Sequence, residues 1–214
     1  MKRAFLLLLI CALIFGAMPV FSSCNRAPKI EEIREELISL IEASYEINTI
    51  FFGAGLPVYD RNDVIYSDLY NVYASTQYVN SYDVVSLHAK FTSINQIKAA
   101  ASLVYSPEVL EQNLFVNAFV GYALTDATGQ FSSSPALFVE DGNYLYQSRT
   151  HENKLRNGQK IYDYSTMQIS RPSNKEAIFV TLSCFYASDP SNLLSARLRF
   201  VQTSAGWRLD SFTV

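Results

Sequence analysis

The last part of the sequence is a series of apolar segments separated by short turn signals, and this feature limits the possible folds most strongly. Within residues 177–186 every second residue is apolar, the two-residue period of a strand with one buried face, in the series Ile178, Val180, Leu182, Cys184 and Tyr186. Turn-forming residues at 172–174, 189–192 and 204–206 separate the segments. Strands joined by such short turns form an antiparallel meander. We therefore predict four strands, over residues 161–169, 177–186, 196–203 and 207–214.

Further strands are predicted upstream of the meander. Residues 136–140 and 144–147 flank Asp141-Gly142-Asn143, a typical hairpin turn. The segment Val84 to Phe91 also has the composition of a strand. By contrast, residues 59–82 lack a sustained period and indicate loops with one or two short strands.

The helical signals all lie before residue 115. From Ile30 to Tyr45 apolar residues recur every three or four positions behind an acidic first turn, and Gly53 and Gly55 mark the end of this helix. Ser93 is placed to cap a second helix, to about Val104, and Ser106 to cap a third, to about Leu114. Helices followed by an antiparallel sheet predict an α+β domain, with the N-terminal helices packed on a curved sheet.

The N-terminus has the layout of a secretory signal: basic Lys2 and Arg3, then an apolar stretch to Phe21. The following Phe21-Ser22-Ser23-Cys24 resembles the bacterial lipobox, which implies that Cys24 carries a lipid after removal of residues 1–23. Two alternatives remain. The signal is cleaved without lipidation, or the apolar stretch of about 18 residues stays as a membrane anchor.

The predicted mature chain consists of a tether, residues 24–29, and a single domain, residues 30–214. Removing Lys2 and Arg3 leaves 15 basic residues against 20 acidic ones, a net charge of −5 that disfavours nucleic acid as a partner. With Cys11 in the signal and Cys24 lipidated, Cys184 has no cysteine to pair with. We expect it to be a small buried hydrophobe on a strand.

The element order is similar to the cone-shaped NTF2-like fold, also called cystatin-like. The closing segments 197–201 and 206–211 resemble the end of many exported NTF2-like domains. The N-terminal helix and the segment Val139 to Gly142 are also similar to parts of bacterial inhibitors of cell-wall DL-endopeptidases. The resemblance implies helices held against a concave sheet, over about residues 30–214.

The sequence contains no recognisable catalytic or metal-binding arrangement. The two histidines, His88 and His151, have no metal ligand at the usual spacing, and Gly53 and Gly55 follow a helix instead of preceding one. The carboxylate pairs Asp60 with Asp63 and Glu140 with Asp141 lie in turn-like contexts. We therefore predict no catalytic residue, no metal and no cofactor.

Polar side chains on the strand faces, such as Tyr162, Tyr164 and Thr181, form hydrogen bonds well but shuttle protons poorly, which favours binding over catalysis. The most unusual feature is a run of six tyrosines within residues 59–82. Exposed tyrosines favour protein or sugar recognition, whereas the alternative is that these rings cover the sheet and helix ends. The candidate binding residues are Tyr66, Tyr70, Tyr73, Tyr78 and Tyr82.

The sequence thus predicts an exported protein, anchored through Cys24 to the outer face of a bacterial cell membrane, with a non-catalytic binding domain. Its expected partner is a cell-wall hydrolase, another envelope protein or peptidoglycan. The alternative is small-molecule binding, or NTF2-like enzyme activity, in the cavity of the cone. A third possibility is a structural element of a larger surface assembly.

Overall fold

The computed structural model describes residues 30–60, 62, 69, 77, 78, 80–125, 130–155, 157–170 and 177–214. The predicted signal peptide (1–23), the tether (24–29) with Cys24, and the candidates Tyr66, Tyr70 and Tyr73 lie outside these residues. Within the described residues, no helix is both long and apolar enough to cross a membrane.

The first helix, α1, spans Ile30–Phe52, which confirms the prediction from the apolar period. Glu31 and Glu32 lie in its first turn, where carboxylates interact favourably with the helix dipole. The backbone amides of Gly53 and Gly55 donate to the carbonyl oxygen of Thr49 at 3.1 and 3.0 Å and so end the helix. One side of α1 is buried in the core through Ile33, Leu37, Leu40, Ile41, Ile47, Ile50 and Phe51.

Both predicted helix caps are present. The hydroxyl of Ser93 accepts from the amide of Gln96 at the start of α2 (Ile94–Val104), and that of Ser106 accepts from the amide of Val109 in α3 (Pro107–Val109). The third helix was predicted to end at about Leu114, but the helical segment is longer. It continues through a π-helical turn (Leu110–Leu114) into α4 (Phe115–Phe119), because Phe115 and Ala118 bury their side chains in the core.

The four predicted meander strands are β6 (Lys160–Ser170), β7 (Ala177–Tyr186), β8 (Asp189–Thr203) and β9 (Gly206–Leu209). They form one antiparallel sheet in this order. The turn predicted at residues 189–192 is wrong, because the chain turns at 187 and 188 and β8 begins at Asp189. The four residues between Asp189 and Leu194 face a single residue of β7, so they form a large bulge inside β8 instead of a loop.

The last predicted strand is too long, since β9 ends at Leu209. Asp210 instead forms an ion pair with Arg199 and accepts a hydrogen bond from the hydroxyl of Ser106. The next side chain, Ser211, accepts from the amide of Arg199 at 3.0 Å. The amide of Asp210 also donates to the carbonyl oxygen of Arg199 at 2.8 Å, so both residues stay beside β8. Thr213 follows with its side chain buried.

Two smaller sheets complete the described structure. β1 (Tyr82–Val84), β5 (Tyr144–Ser148) and β4 (Phe138–Asp141) pair antiparallel in the order β1-β5-β4, which confirms the hairpin at Gly142. The second sheet was not predicted and consists of β2 (Tyr122–Thr125) and β3 (Phe131–Ser134). The strand predicted from Val84 to Phe91 is wrong beyond Val85, because the amide of Ala89 donates to the carbonyl oxygen of Ser86 and closes a turn.

One main hydrophobic cluster contains residues of the helices α1, α2, α3 and α4 and of the inner face of the four-stranded sheet. The α+β class is therefore shown. Cys184 is 1% exposed in this cluster, as predicted. Burial raises the pKa of its thiol, which keeps the group protonated and unreactive at neutral pH. The helices and sheet therefore stabilise one another by apolar packing, without a disulfide in the described part of the chain.

Candidate functional site

A cleft of about 700 Å³ opens beside the C-terminal end of α1. Its volume lies within the range of small-ligand sites. Five parts of the chain form it: the end of α1, the helical segment around α4, the β2–β3 hairpin with the residues after it, the loop after β5, and Phe212. The lining residues are Phe51, Phe52, Leu114, Asn117, Ala118, Tyr122, Ser133, Ser134, Pro135, Leu137, Ser148, Thr150, His151, Glu152, Lys154 and Phe212.

The apolar part of the cleft is a group of packed aromatic rings. The rings of Phe52 and Phe212 meet edge to face with centroids 5.2 Å apart, and Phe51 meets Phe138 in the same way at 6.4 Å. Phe212 also contacts the ring of Tyr105 at 5.4 Å, so its position is fixed from two sides. Such a surface can cover an apolar group of a ligand without rearranging.

The polar side of the cleft is the loop that follows β5, and this loop is fastened to the end of α1. The amides of Lys154 and Leu155 donate to the carbonyl oxygen of Phe52 at 2.7 and 3.2 Å. Asn153 accepts from the amide of Leu155 at 2.9 Å and closes a local turn. Carbonyl groups at a helix end have no partner inside the helix, so these hydrogen bonds stabilise both the helix end and the loop.

His151 occupies a defined protonation state in this loop. Its Nε2 lies 2.9 Å from the carbonyl oxygen of Gly53, and a carbonyl oxygen only accepts, so Nε2 carries the proton. Burial lowers the pKa of His151, and the nearby Lys154 adds to that effect. At neutral pH the ring is therefore uncharged, and Nδ1 is its free acceptor with no partner among the described residues.

The residue after Phe212 ties the cleft to a buried polar network. The hydroxyl of Thr213 accepts from Nδ2 of Asn48 at 2.6 Å and shares a hydrogen bond with Ser44 at 2.6 Å. Tyr105 donates to Oδ1 of Asn48 at 2.7 Å, and Tyr162 donates to the carbonyl oxygen of Thr213 at 3.0 Å. The network fixes the segment that carries Phe212, and therefore the aromatic part of the cleft.

Replacing Thr213 by valine should lower the free energy of unfolding by about 2 kcal/mol, because the buried Asn48 amide loses its acceptor while the shape of the side chain is kept. Thr213→Ser keeps the hydroxyl and removes one methyl group, so it should cost about 1 kcal/mol. Urea unfolding of the full chain measures both changes. A valine variant as stable as the wild type would show that the network contributes nothing to the fold.

Of the five tyrosine candidates, the structure describes Tyr78 and Tyr82. Tyr82 is 6% exposed and donates to the carbonyl oxygen of Ala136 at 2.8 Å. The rings of Tyr78 and Tyr82 meet at 5.4 Å, and Tyr146 lies 5.9 Å from Tyr78. The three rings form a small second hydrophobic cluster. Neither Tyr78 nor Tyr82 lines the cleft.

The other residues considered from the sequence are mainly structural where they are described. His88 is exposed in a turn, and Asp60 accepts from the amide of Asn62 at 2.8 Å. Glu140 accepts from the amide of Ile94 at 2.6 Å and so satisfies the start of α2. Burial raises the pKa of Tyr162, which is a neutral donor in the buried network. No group of three or more acidic, histidine or cysteine side chains in the described ranges is placed to hold a metal ion.

His151 lies within the polar residues 148–158, but the sequence did not identify the cleft. Its lining residues come from segments up to about 160 positions apart, and none of them belongs to a motif. The one local signal was the polar composition of residues 148–158 next to a predicted strand. The hydrogen bond from His151 to Gly53 joins residues 98 positions apart, so no sequence pattern announces it.

Comparisons with family models, with curated proteins and with solved structures found no match to this chain. The function is therefore inferred from the residues and from the geometry of the cleft.

Proposed function

We propose that the protein is an exported, lipid-anchored binding protein whose domain holds a small ligand in the cleft beside His151. The observation that carries the binding role is the cleft itself, in which packed phenylalanine rings face a polar loop fastened to the end of α1. A fixed apolar surface combined with a few polar groups is the usual composition of a ligand site. Export and the lipid on Cys24 rest on residues 1–24.

The same proposal describes the domain as an NTF2-like cone. All the described strands except β1 follow the helices, and the closing four-stranded meander packs its apolar face against α1. This order and packing support the resemblance, because helices held against a sheet are what it implies.

We propose a binding role in preference to catalysis. A catalytic histidine is commonly oriented by a carboxylate, whereas His151 is held by the carbonyl oxygen of Gly53. No carboxylate in the described residues forms a hydrogen bond with its ring. The cleft also favours a small ligand over the inhibition of a cell-wall hydrolase, which needs an extended protein contact surface.

Filling the cleft should remove the ligand. Ser133 is an exposed lining residue on β3, and a tryptophan there occupies the cleft without entering the core. The full chain, extracted in detergent from its native envelope, should carry a small molecule that native mass spectrometry detects, and Ser133→Trp should have lost it. Ser204→Trp is the matched control, since Ser204 is exposed in the turn before β9 and does not line the cleft. A ligand retained by Ser133→Trp, or none in the wild type, would reject the cleft as the binding site.

A further inference from the structure

Two opposite charges line the cleft two residues apart. Glu152 and Lys154 are both exposed lining residues, and their side chains have no hydrogen bond or ion pair with any described residue. The acid–base pairs that the structure does contain, such as Lys90 with Glu46 at 2.6 Å, lie elsewhere. A carboxylate and an ammonium group at one cleft, each without a partner, are complementary to a ligand that carries both charges.

The backbone that presents these two charges is held in place on both sides of each residue. His151 is bonded to Gly53, the amides of Lys154 and Leu155 are bonded to Phe52, and Asn153 closes the turn between them. A fixed backbone lowers the conformational cost of ordering the side chains when a ligand binds. The folded loop therefore fixes the two backbone positions from which the charged side chains extend.

The groups beside the charges determine what else the ligand carries. The aromatic rings of Phe52 and Phe212 offer an apolar surface, and Nδ1 of His151 offers an acceptor for an N–H or O–H group. Ser133, Ser134 and Asn117 also line the cleft and add hydroxyl and amide groups to it. Apolar cover, an amide-compatible polar side and two opposite charges together match an amino acid or a short peptide with free termini.

We propose that the cleft binds a short zwitterionic peptide with an apolar side chain, with Lys154 paired to its carboxylate and Glu152 to its ammonium group. This inference rests on the proposed binding function and names the chemical class of the ligand. The apolar side chain lies on the phenylalanine rings, and peptide N–H groups face His151. Charge-assisted hydrogen bonds of this type are stronger than neutral ones and select for both termini.

Isothermal titration of the full chain in detergent with the dipeptide alanyl-phenylalanine tests the proposal. The free dipeptide should bind, and acetylating its amino group or amidating its carboxyl group should each weaken binding by about tenfold, the effect of losing one charge-assisted contact. Glu152→Gln should weaken binding of the free dipeptide and become indifferent to acetylation. Lys154→Met should become indifferent to amidation. This exchange of sensitivities assigns each terminus to one residue.

Two variants serve as matched controls. Glu111→Gln and Lys90→Met remove one exposed carboxylate and one exposed ammonium group away from the cleft, and both should bind the free dipeptide as the wild type does.

Equal binding of the free and the doubly capped dipeptide would overturn the zwitterion assignment and leave the cleft as a binding site. The zwitterion assignment would also be overturned if no form of the dipeptide bound while Ser133→Trp still removed the native ligand. If no probe binds and Ser133→Trp changes nothing, the binding function falls as well.

Discussion

Replacing Cys24 by alanine in the full chain should abolish its labelling by a radioactive fatty acid fed to growing cells. The lipid is proposed to be attached to the sulfur atom of Cys24, and the side chain of alanine has no atom to which a lipid can be joined. Each buried methylene of a lipid contributes about 0.8 kcal/mol, so stable anchoring depends on the acyl chains and ends with their loss. Autoradiography of the purified protein and its intact mass measure the change.

The matched control for this experiment is Cys11→Ala. Cys11 lies within the apolar stretch that the prediction removes, so this variant should be labelled and located as the wild type is. For Cys24→Ala, either retention of residues 1–23 or release from the membrane agrees with lipidation at Cys24. A correctly cleaved Cys24→Ala chain that remains in the membrane fraction would contradict it, and so would a label that persists.

The parts of the fold that the sequence predicted correctly are those with a local physical cause. The α1 period follows from one buried face, and the caps at Ser93 and Ser106 follow from hydroxyls that satisfy nearby amides. The hairpin at Gly142 follows from the positive φ of that residue, 60°, which glycine adopts readily. In each case the residues that decide the structure are neighbours in the chain.

Two of the wrong predictions involve contacts that no local sequence pattern shows. Residues 86–90 have a strand-like composition, but the hydroxyl of Tyr59 accepts from the amide of Leu87 and takes the donor that a strand partner would need. The final strand stops at Leu209, where the amide of Arg199 donates to the hydroxyl of Ser211 instead of to a backbone carbonyl oxygen. The β2–β3 hairpin was missed because Ser132, Ser133 and Ser134 give β3 no apolar alternation.

The cleft was beyond prediction for the same reason. Phe52, His151 and Phe212 become neighbours only after α1, the loop after β5 and the segment after β9 have taken their places. The sequence predicted Phe212 to be part of the last strand. In the structure the neighbouring Thr213 forms buried hydrogen bonds with Asn48 and Ser44. From the sequence, the two phenylalanines therefore indicated core packing only. Their place in a cleft with His151 follows from the folded structure.

Gly55 lies directly after α1, and a side chain there should be more damaging than at any glycine in an open turn. Its φ is 80°, a conformation that side-chain-bearing residues adopt at a cost. A Cβ atom at this position would lie 2.3 Å from Oε1 of Gln147, which accepts from the amide of Leu56 at 2.7 Å. Gln147 is buried, so its amide cannot move aside without breaking that hydrogen bond.

We therefore expect Gly55→Ala to lower the free energy of unfolding of the full chain by about 3 kcal/mol, with backbone strain and overpacking contributing together. Gly142→Ala is the matched control, because its φ is also positive, 60°, but no atom lies within 4 Å of the added Cβ. It should cost about 1 kcal/mol, the strain alone. Combining Gly55→Ala with Gln147→Ala removes the clash, so the double variant should be more stable than the sum of the single losses predicts. Urea unfolding of all four variants measures this, and equal losses at Gly55 and Gly142 would show that the contact with Gln147 adds nothing to the backbone strain.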